Sequence, residues 1–172
     1  MVKRYFRFIC TKCFWSFVIF IFSAVTKLSA QTDEHTLLGN EFFLRIQNDS
    51  VKAEHKANGY EFNLRLVSYT DLNSDGLKDL ITVDTSSCGN WGDCNYTFFL
   101  QQADDFYVCL FSDYLYQFKE LQTRKTSAKS GWLQYNVYER TDNTVRMNRD
   151  DYPLKRVGIL KYDGKQYVLK KL

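Results

Sequence analysis

The feature that most constrains this chain is the step of two in which its apolar residues recur. Glu61-Phe62-Asn63-Leu64-Arg65-Leu66 sets Phe62, Leu64 and Leu66 on one face of an extended backbone, because successive side chains of a strand point to opposite faces. Strand-like runs recur at Leu80–Val83, at Tyr96–Leu100 and Phe106–Phe111 around Gln101–Asp105, at Tyr114–Phe118 and at Trp132–Tyr138. The last pair, Gly158–Tyr162 and Lys165–Leu169, is joined by Asp163-Gly164, a dipeptide that tolerates the positive φ angles of a type I′ turn. No segment carries a sustained apolar stripe at helical spacing, and a short helix near Asp33–Leu38 is the one helical expectation. Many short strands joined by turns predict an all-β fold: an antiparallel meander forming a sandwich, an open barrel or a partial propeller-like sheet.

The N-terminus reads differently. Lys3, Arg4, Arg7 and Lys12 precede an apolar run from Phe14 to Val25, and Lys27-Leu28-Ser29-Ala30 leads into a polar stretch from Gln31. Basic, then apolar, then small is the order of a cleaved signal peptide. The run has 12 residues, short of the roughly 20 that cross a bilayer as a helix. Residues 1–30 are therefore expected to be a signal peptide, and residues 31–172 a single β-rich domain, periplasmic or secreted; an uncleaved anchor is the alternative. Without the leader the chain carries 18 basic and 20 acidic residues, a formal charge of −2 where the whole chain has +3. The basic balance belongs to targeting, so nucleic acid is not an expected partner, nor is a membrane once the leader is cut.

Asp71-Leu72-Asn73-Ser74-Asp75-Gly76-Leu77-Lys78-Asp79 is the most informative stretch. Side-chain oxygens fall at relative positions 1, 3, 5 and 9, with glycine at 6. Calcium takes six to eight oxygens, and alternate residues of a tight loop can aim several at one centre. Asp71, Asn73, Asp75 and Asp79 are the candidate side-chain ligands, and the Leu77 carbonyl is the candidate at position 7. An EF-hand needs glutamate at position 12, where this chain has Thr82, and helices on both sides, where this chain has strands. The competing reading is an Asx-rich turn without metal, since Asp, Asn and Gly are ordinary turn residues.

This stretch resembles the Asp-x-Asn-x-Asp-Gly-x-x-Asp-Leu loops of FG-GAP and VCBS-type β repeats. That resemblance implies a loop joining two strands, with the last aspartate closing a calcium shell. Cys88-Gly89-Asn90-Trp91-Gly92-Asp93-Cys94, Gly131-Trp132 and the Tyr162–Tyr167 hairpin extend it to a group of small exported bacterial proteins built around one such loop. The loop occurs once here, so a complete propeller is not expected.

Cysteine chemistry follows from the compartment. Cys88 and Cys94 are expected to pair in an oxidising environment, because Gly89, Asn90, Gly92 and Asp93 can fold the step between them back on itself. Cys109 sits in the strand opposite Phe98–Leu100 and is expected to be a buried free thiol. His35 and His55 have no ligand-spaced companion and read as surface residues, which leaves zinc and a Ser-His-Asp triad without support. Glu61, Glu120 and Glu139 could serve as paired carboxylates only if the fold converges them. Tyr107, Tyr114, Tyr116, Tyr135 and Tyr138 read as core and cross-strand partners before they read as a binding platform. The sequons Asn48-Asp49-Ser50 and Asn95-Tyr96-Thr97 would matter only in a eukaryote. The function expected is an exported, calcium-stabilised module that binds a protein or glycan, in the manner of an inhibitor or immunity factor. The alternatives are a calcium-dependent hydrolase of cell-wall or other polymer, and a structural envelope protein.

Overall fold

The computed structural model of the protein describes residues 37–90, 92–121, 131–141 and 153–172. The expected signal peptide, the start of the expected helix at Asp33, and His35 lie outside these residues; Leu38 and Gly39 form a turn. Among the described residues, no helix is long and apolar enough to cross a membrane.

The barrel begins with a hairpin that the alternation of Phe42, Leu44, Ile46, Val51 and Ala53 builds. Strand β1 (Glu41–Gln47) and strand β2 (Ser50–His55) are joined by Asn48-Asp49. Asn48 takes φ 57, a left-handed conformation that asparagine adopts more readily than most residues. Then come β3 (Glu61–Thr70), β4 (Asp79–Asp84), β5 (Cys94–Ala103) and β6 (Phe106–Leu115). Each pairs antiparallel with the next, and β1 returns to β6 through Phe42↔Tyr107, so the sheet closes on itself and has no open edge. A second sheet, in the order β10-β9-β8-β7, holds β7 (Gln117–Glu120), β8 (Tyr135–Arg140), β9 (Leu154–Tyr162) and β10 (Tyr167–Lys171). The all-β antiparallel meander is thus the fold, with its barrel closed rather than open.

Two apolar clusters result. Phe42, Leu44, Val51, Leu64, Leu80, Phe99 and Tyr107 fill the barrel. Ile81, Phe98, Leu110, Phe111 and Leu115 turn outward from the barrel and pack with Tyr135, Val137, Leu160 and Tyr167 of the second sheet. Strand β4 is buried at every position but its last, because it is covered on both sides; hence the nearly unbroken apolar run. Phe98 sits centrally, its ring 5.3–5.6 Å from those of Phe111, Phe118, Tyr135 and Tyr167.

Four expected boundaries move. Tyr114–Phe118 is not one strand: Leu115 ends β6 and Gln117 starts β7. Leu115 and Phe118 both reach the same cluster from three residues apart, which a continuous strand cannot do. Strands β5 and β6 run on to Ala103 and Phe106, leaving Asp104-Asp105 as the turn, with Asp105 at φ 56. Trp132–Gln134 is not part of β8. In the last hairpin Tyr162 pairs with Tyr167, and the Asp163 N–H donates to the Gln166 carbonyl at 3.0 Å. Gly164-Lys165 is therefore the tip, and only Gly164 has positive φ. The cause is local: Asp163 Oδ1 accepts from the N–H groups of Lys165 and Gln166.

Candidate metal centre

The acidic loop joins β3 to β4, and its carboxylates organise its own backbone. Asp71 accepts from the N–H groups of Asp75 (3.1 Å) and Gly76 (3.0 Å). Asn73 Oδ1 accepts from the Asp75 N–H at 3.1 Å, its amide donates to Asp75 Oδ2 at 2.7 Å, and Asp75 Oδ1 accepts from the Leu77 N–H at 2.7 Å. Ser74 at φ 63 and Gly76 at φ 85 supply the left-handed steps that the tight course requires. Leu77 is exposed.

Asp79 lies beneath the loop, fully buried. Oδ2 accepts from the Leu72 N–H at 2.7 Å, and Oδ1 from the Gln101 N–H at 2.8 Å. Its pKa is nevertheless raised to about 6: burial raises it most, the two backbone N–H groups pull it down, and Asp75 and Asp71 push it up again. The loop's one lysine, Lys78, extends over the Tyr69 ring, 6.0 Å from its centre.

The loop also reaches the segment that leads into β8. Leu72 is buried in the cluster between barrel and sheet, and its carbonyl accepts from the Leu133 N–H at 2.8 Å. Ser74 Oγ donates to the Gly131 carbonyl at 2.9 Å. Between those two contacts Trp132 stacks on Tyr162, centroids 3.7 Å apart and planes at 11°, while the Tyr167 hydroxyl donates to the Leu133 carbonyl at 3.1 Å. A Cβ on Gly131 would stand 3.1 Å from the Asn73 carbonyl, so close approach favours glycine there. Sequence reasoning missed Gln101, whose N–H binds Asp79 and whose Oε1 accepts from the Lys78 N–H at 2.9 Å. No local signal marks it, because the contact spans 22 residues.

Asp71, Asn73, Asp75 and Leu77 thus lie in one loop, with Asp79 beneath it at the start of β4. Among the described residues, no three His, Cys, Asp or Glu side chains are set as a metal cage, and these carboxylates accept from backbone N–H groups of the loop and of Gln101. Their chemistry fits a hard cation: the donors are all oxygen and three are carboxylates.

Elsewhere the candidates separate. Cys88 and Cys94 form the expected disulfide after β4, at the end of that strand away from the acidic loop. Cys109, opposite Phe99, is free and buried, its thiol pushed up to about 12 by burial, which leaves no thiolate for nucleophilic work. His55 is half-buried rather than a surface residue, its ring edge-on to Phe42 at 5.1 Å. Glu61 lies on β3, 2.6 Å from Lys52, whereas Glu120 and Glu139 lie on the second sheet, where Glu120 pairs with Tyr135, four residues from Glu139. Tyr107 and Tyr135 are buried, Tyr116 and Tyr138 half-buried, and Tyr114 exposed, so these side chains form no common platform. Compared with protein-family models, with curated proteins and with solved structures, the chain matches none.

Proposed function

We propose that the protein is an exported, calcium-stabilised β module that binds a protein or glycan rather than transforming a substrate. The observation that carries this reading is the double attachment of the acidic loop. Its carboxylates fix the β3–β4 turn, while Leu72 and Ser74 fasten the Gly131–Leu133 segment that leads into β8. A cation held by Asp71, Asn73, Asp75, the Leu77 carbonyl and Asp79 would relieve repulsion among three carboxylates and stiffen both attachments. The ion's part is charge neutralisation; the ordering belongs to the loop's own residues. The Cys88–Cys94 disulfide supports a periplasmic or secreted setting. The buried thiol of Cys109 and the separated glutamates support binding over hydrolysis.

With no glutamate at position 12, the affinity expected is in the weak extracellular range, roughly 10⁻⁴–10⁻³ M. At about ten times the dissociation constant, mass action then adds about 1.4 kcal/mol. The test is thermal melting in millimolar calcium and in EDTA. The wild type should melt higher in calcium, and Asp75→Ala should abolish the difference. Identical wild-type curves would reduce the loop to a turn and remove calcium from the account.

A further inference from the structure

Charge is segregated between the two sheets. Residues 37–115 hold twelve Asp and Glu against five Lys and Arg, whereas the described residues from 117 onward hold eight Lys and Arg against three Asp and Glu. Three of the barrel's cations are paired: Arg45 with Glu54, Lys52 with Glu61 and Lys56 with Glu41. On the second sheet the register gathers cations on one face. Lys119 stands opposite Asn136, Asn136 opposite Ile159, and Ile159 opposite Lys170. Lys161 lies two residues from Ile159 on the same face, and Arg156 Nη1 donates to Asn136 Oδ1 at 3.4 Å.

This is the face turned away from the barrel, since Tyr135, Val137, Leu160 and Tyr167 occupy the other. Glu120 and Glu139 are one residue out of phase with Lys119 and Tyr138, and Asp163 is bound into the hairpin tip. Among the described residues, Lys119, Arg156, Lys161 and Lys170 make no salt bridge and share their face with no carboxylate. Lys119 and Lys170 are three strand spacings apart, roughly 14 Å at about 4.8 Å each.

A single-sign face of this kind attracts a ligand of opposite charge and concentrates it at the surface. Its chemistry discriminates among anionic ligands. Protein interfaces are held by buried apolar anchors, and among the described strands of this sheet the exposed large apolar residue is Leu154, at the start of β9. A membrane surface is gripped by inserted apolar side chains; on this face the register places a single exposed one among the described residues, Leu154 at the start of β9, while Ile159 and Val168 are half-buried. Single-stranded nucleic acid needs an open aromatic for base stacking, but the Tyr138 ring has the Lys119 ammonium 5.9 Å from its centre. What remains is a ligand recognised by repeated charge along an extended chain.

We propose that the outer face of β7–β10 binds an acidic polysaccharide, a linear chain of sugars bearing carboxylate or sulfate groups. This deepens the binding-module reading by naming its ligand class, yet it rests on the second sheet and not on the acidic loop. The probe is heparin, titrated into the purified protein at about 20 and about 150 mM salt, in calcium and in EDTA. Counterion release at four contacts predicts a log–log salt slope of about −3. K119E/K170E should weaken binding at least tenfold, and the uncharged K119Q/K170Q should weaken it less, while Arg45→Glu on the barrel should leave it unchanged. Equal melting temperatures separate these effects from misfolding.

The proposal is overturned if heparin does not bind at low salt, or if binding ignores salt or the two lysines. Capture by phosphatidylserine vesicles without heparin binding would overturn it in favour of a lipid surface. Equal affinity for duplex DNA would overturn the assignment to polysaccharide. Heparin binding without a calcium response in melting would leave this proposal standing and remove the metal; a calcium response without heparin binding would do the reverse.

Discussion

Asp79 makes the metal-free protein respond to acid in an unusual direction. Most native carboxylates favour the charged form, so proteins lose stability as pH falls. Asp79 is wholly buried, and its pKa is raised from 3.8 to about 6 by desolvation and by its neighbours Asp75 and Asp71, against the pull of the Gln101 and Leu72 N–H groups. Between pH 3.8 and 6 the folded state therefore binds more protons at this site than the unfolded state. Its contribution to stability is fully present below pH 3.8 and is lost as pH rises through 6. A shift of about two units corresponds to about 3 kcal/mol at 1.36 kcal/mol per unit.

Urea unfolding in EDTA at pH 7, 6, 5 and 4.5 measures this directly. Stability should rise as pH falls, and Asp79→Asn, which fixes the neutral form at the cost of one acceptor, should flatten most of the rise. In saturating calcium the sign should reverse, because the cation favours the ionised carboxylate and protons then compete with it. Metal-free stability that is flat or falling from pH 7 to 5 would refute the argument that Asp79 is held against its charge.

Removing the disulfide by Cys88→Ala with Cys94→Ala should cost about 2 kcal/mol in chemical denaturation, the chain-entropy value for so short a loop, and non-reducing peptide mapping of wild type should find Cys109 unmodified. Thr97 Oγ1 is buried without a hydrogen-bond partner among the described residues, whereas its carbonyl accepts from Thr82 Oγ1 at 3.3 Å; Thr97→Val keeps the shape and that carbonyl, and should raise stability by about 1 kcal/mol. Phe98→Ala should lower stability by about 4 kcal/mol, the upper part of the range for buried aromatics, because four rings converge on the vacated space.

Legibility in the sequence followed the range of the interactions. Period-two segments such as Phe62–Leu66 and Leu80–Val83 declared themselves strands because their faces alternate or are wholly buried. The hairpin of Glu41–Gln47 and Ser50–His55 carries the same alternation around Asn48-Asp49. The acidic loop was legible as a loop since its residues act on one another. Its attachment to Gly131–Leu133 was not: Ser74 and Gly131 are 57 residues apart. Only the Gly131-Trp132 pair, which the resemblance singled out, hinted that the segment mattered. The break at Tyr116 is not legible locally because alternation continues through Tyr114 and Tyr116, while the change of sheet is fixed by what Leu115 and Phe118 must cover. The closed barrel depends on Phe42↔Tyr107, a pairing no local pattern encodes.

On the proposed reading, a cation in the acidic loop tightens the hold of the barrel on the Gly131–Leu133 segment that leads into β8. Residue-resolved hydrogen exchange of the Leu72 and Leu133 amides during a calcium titration tests it most directly. These donors bind the Asp79 carboxylate and the Leu72 carbonyl, and so report the inner and outer attachments of the loop. Both should gain protection together, saturating with a midpoint of roughly 10⁻⁴–10⁻³ M, and neither should respond in Asp75→Ala. Exchange at both amides that is the same in calcium and in EDTA would contradict the claim.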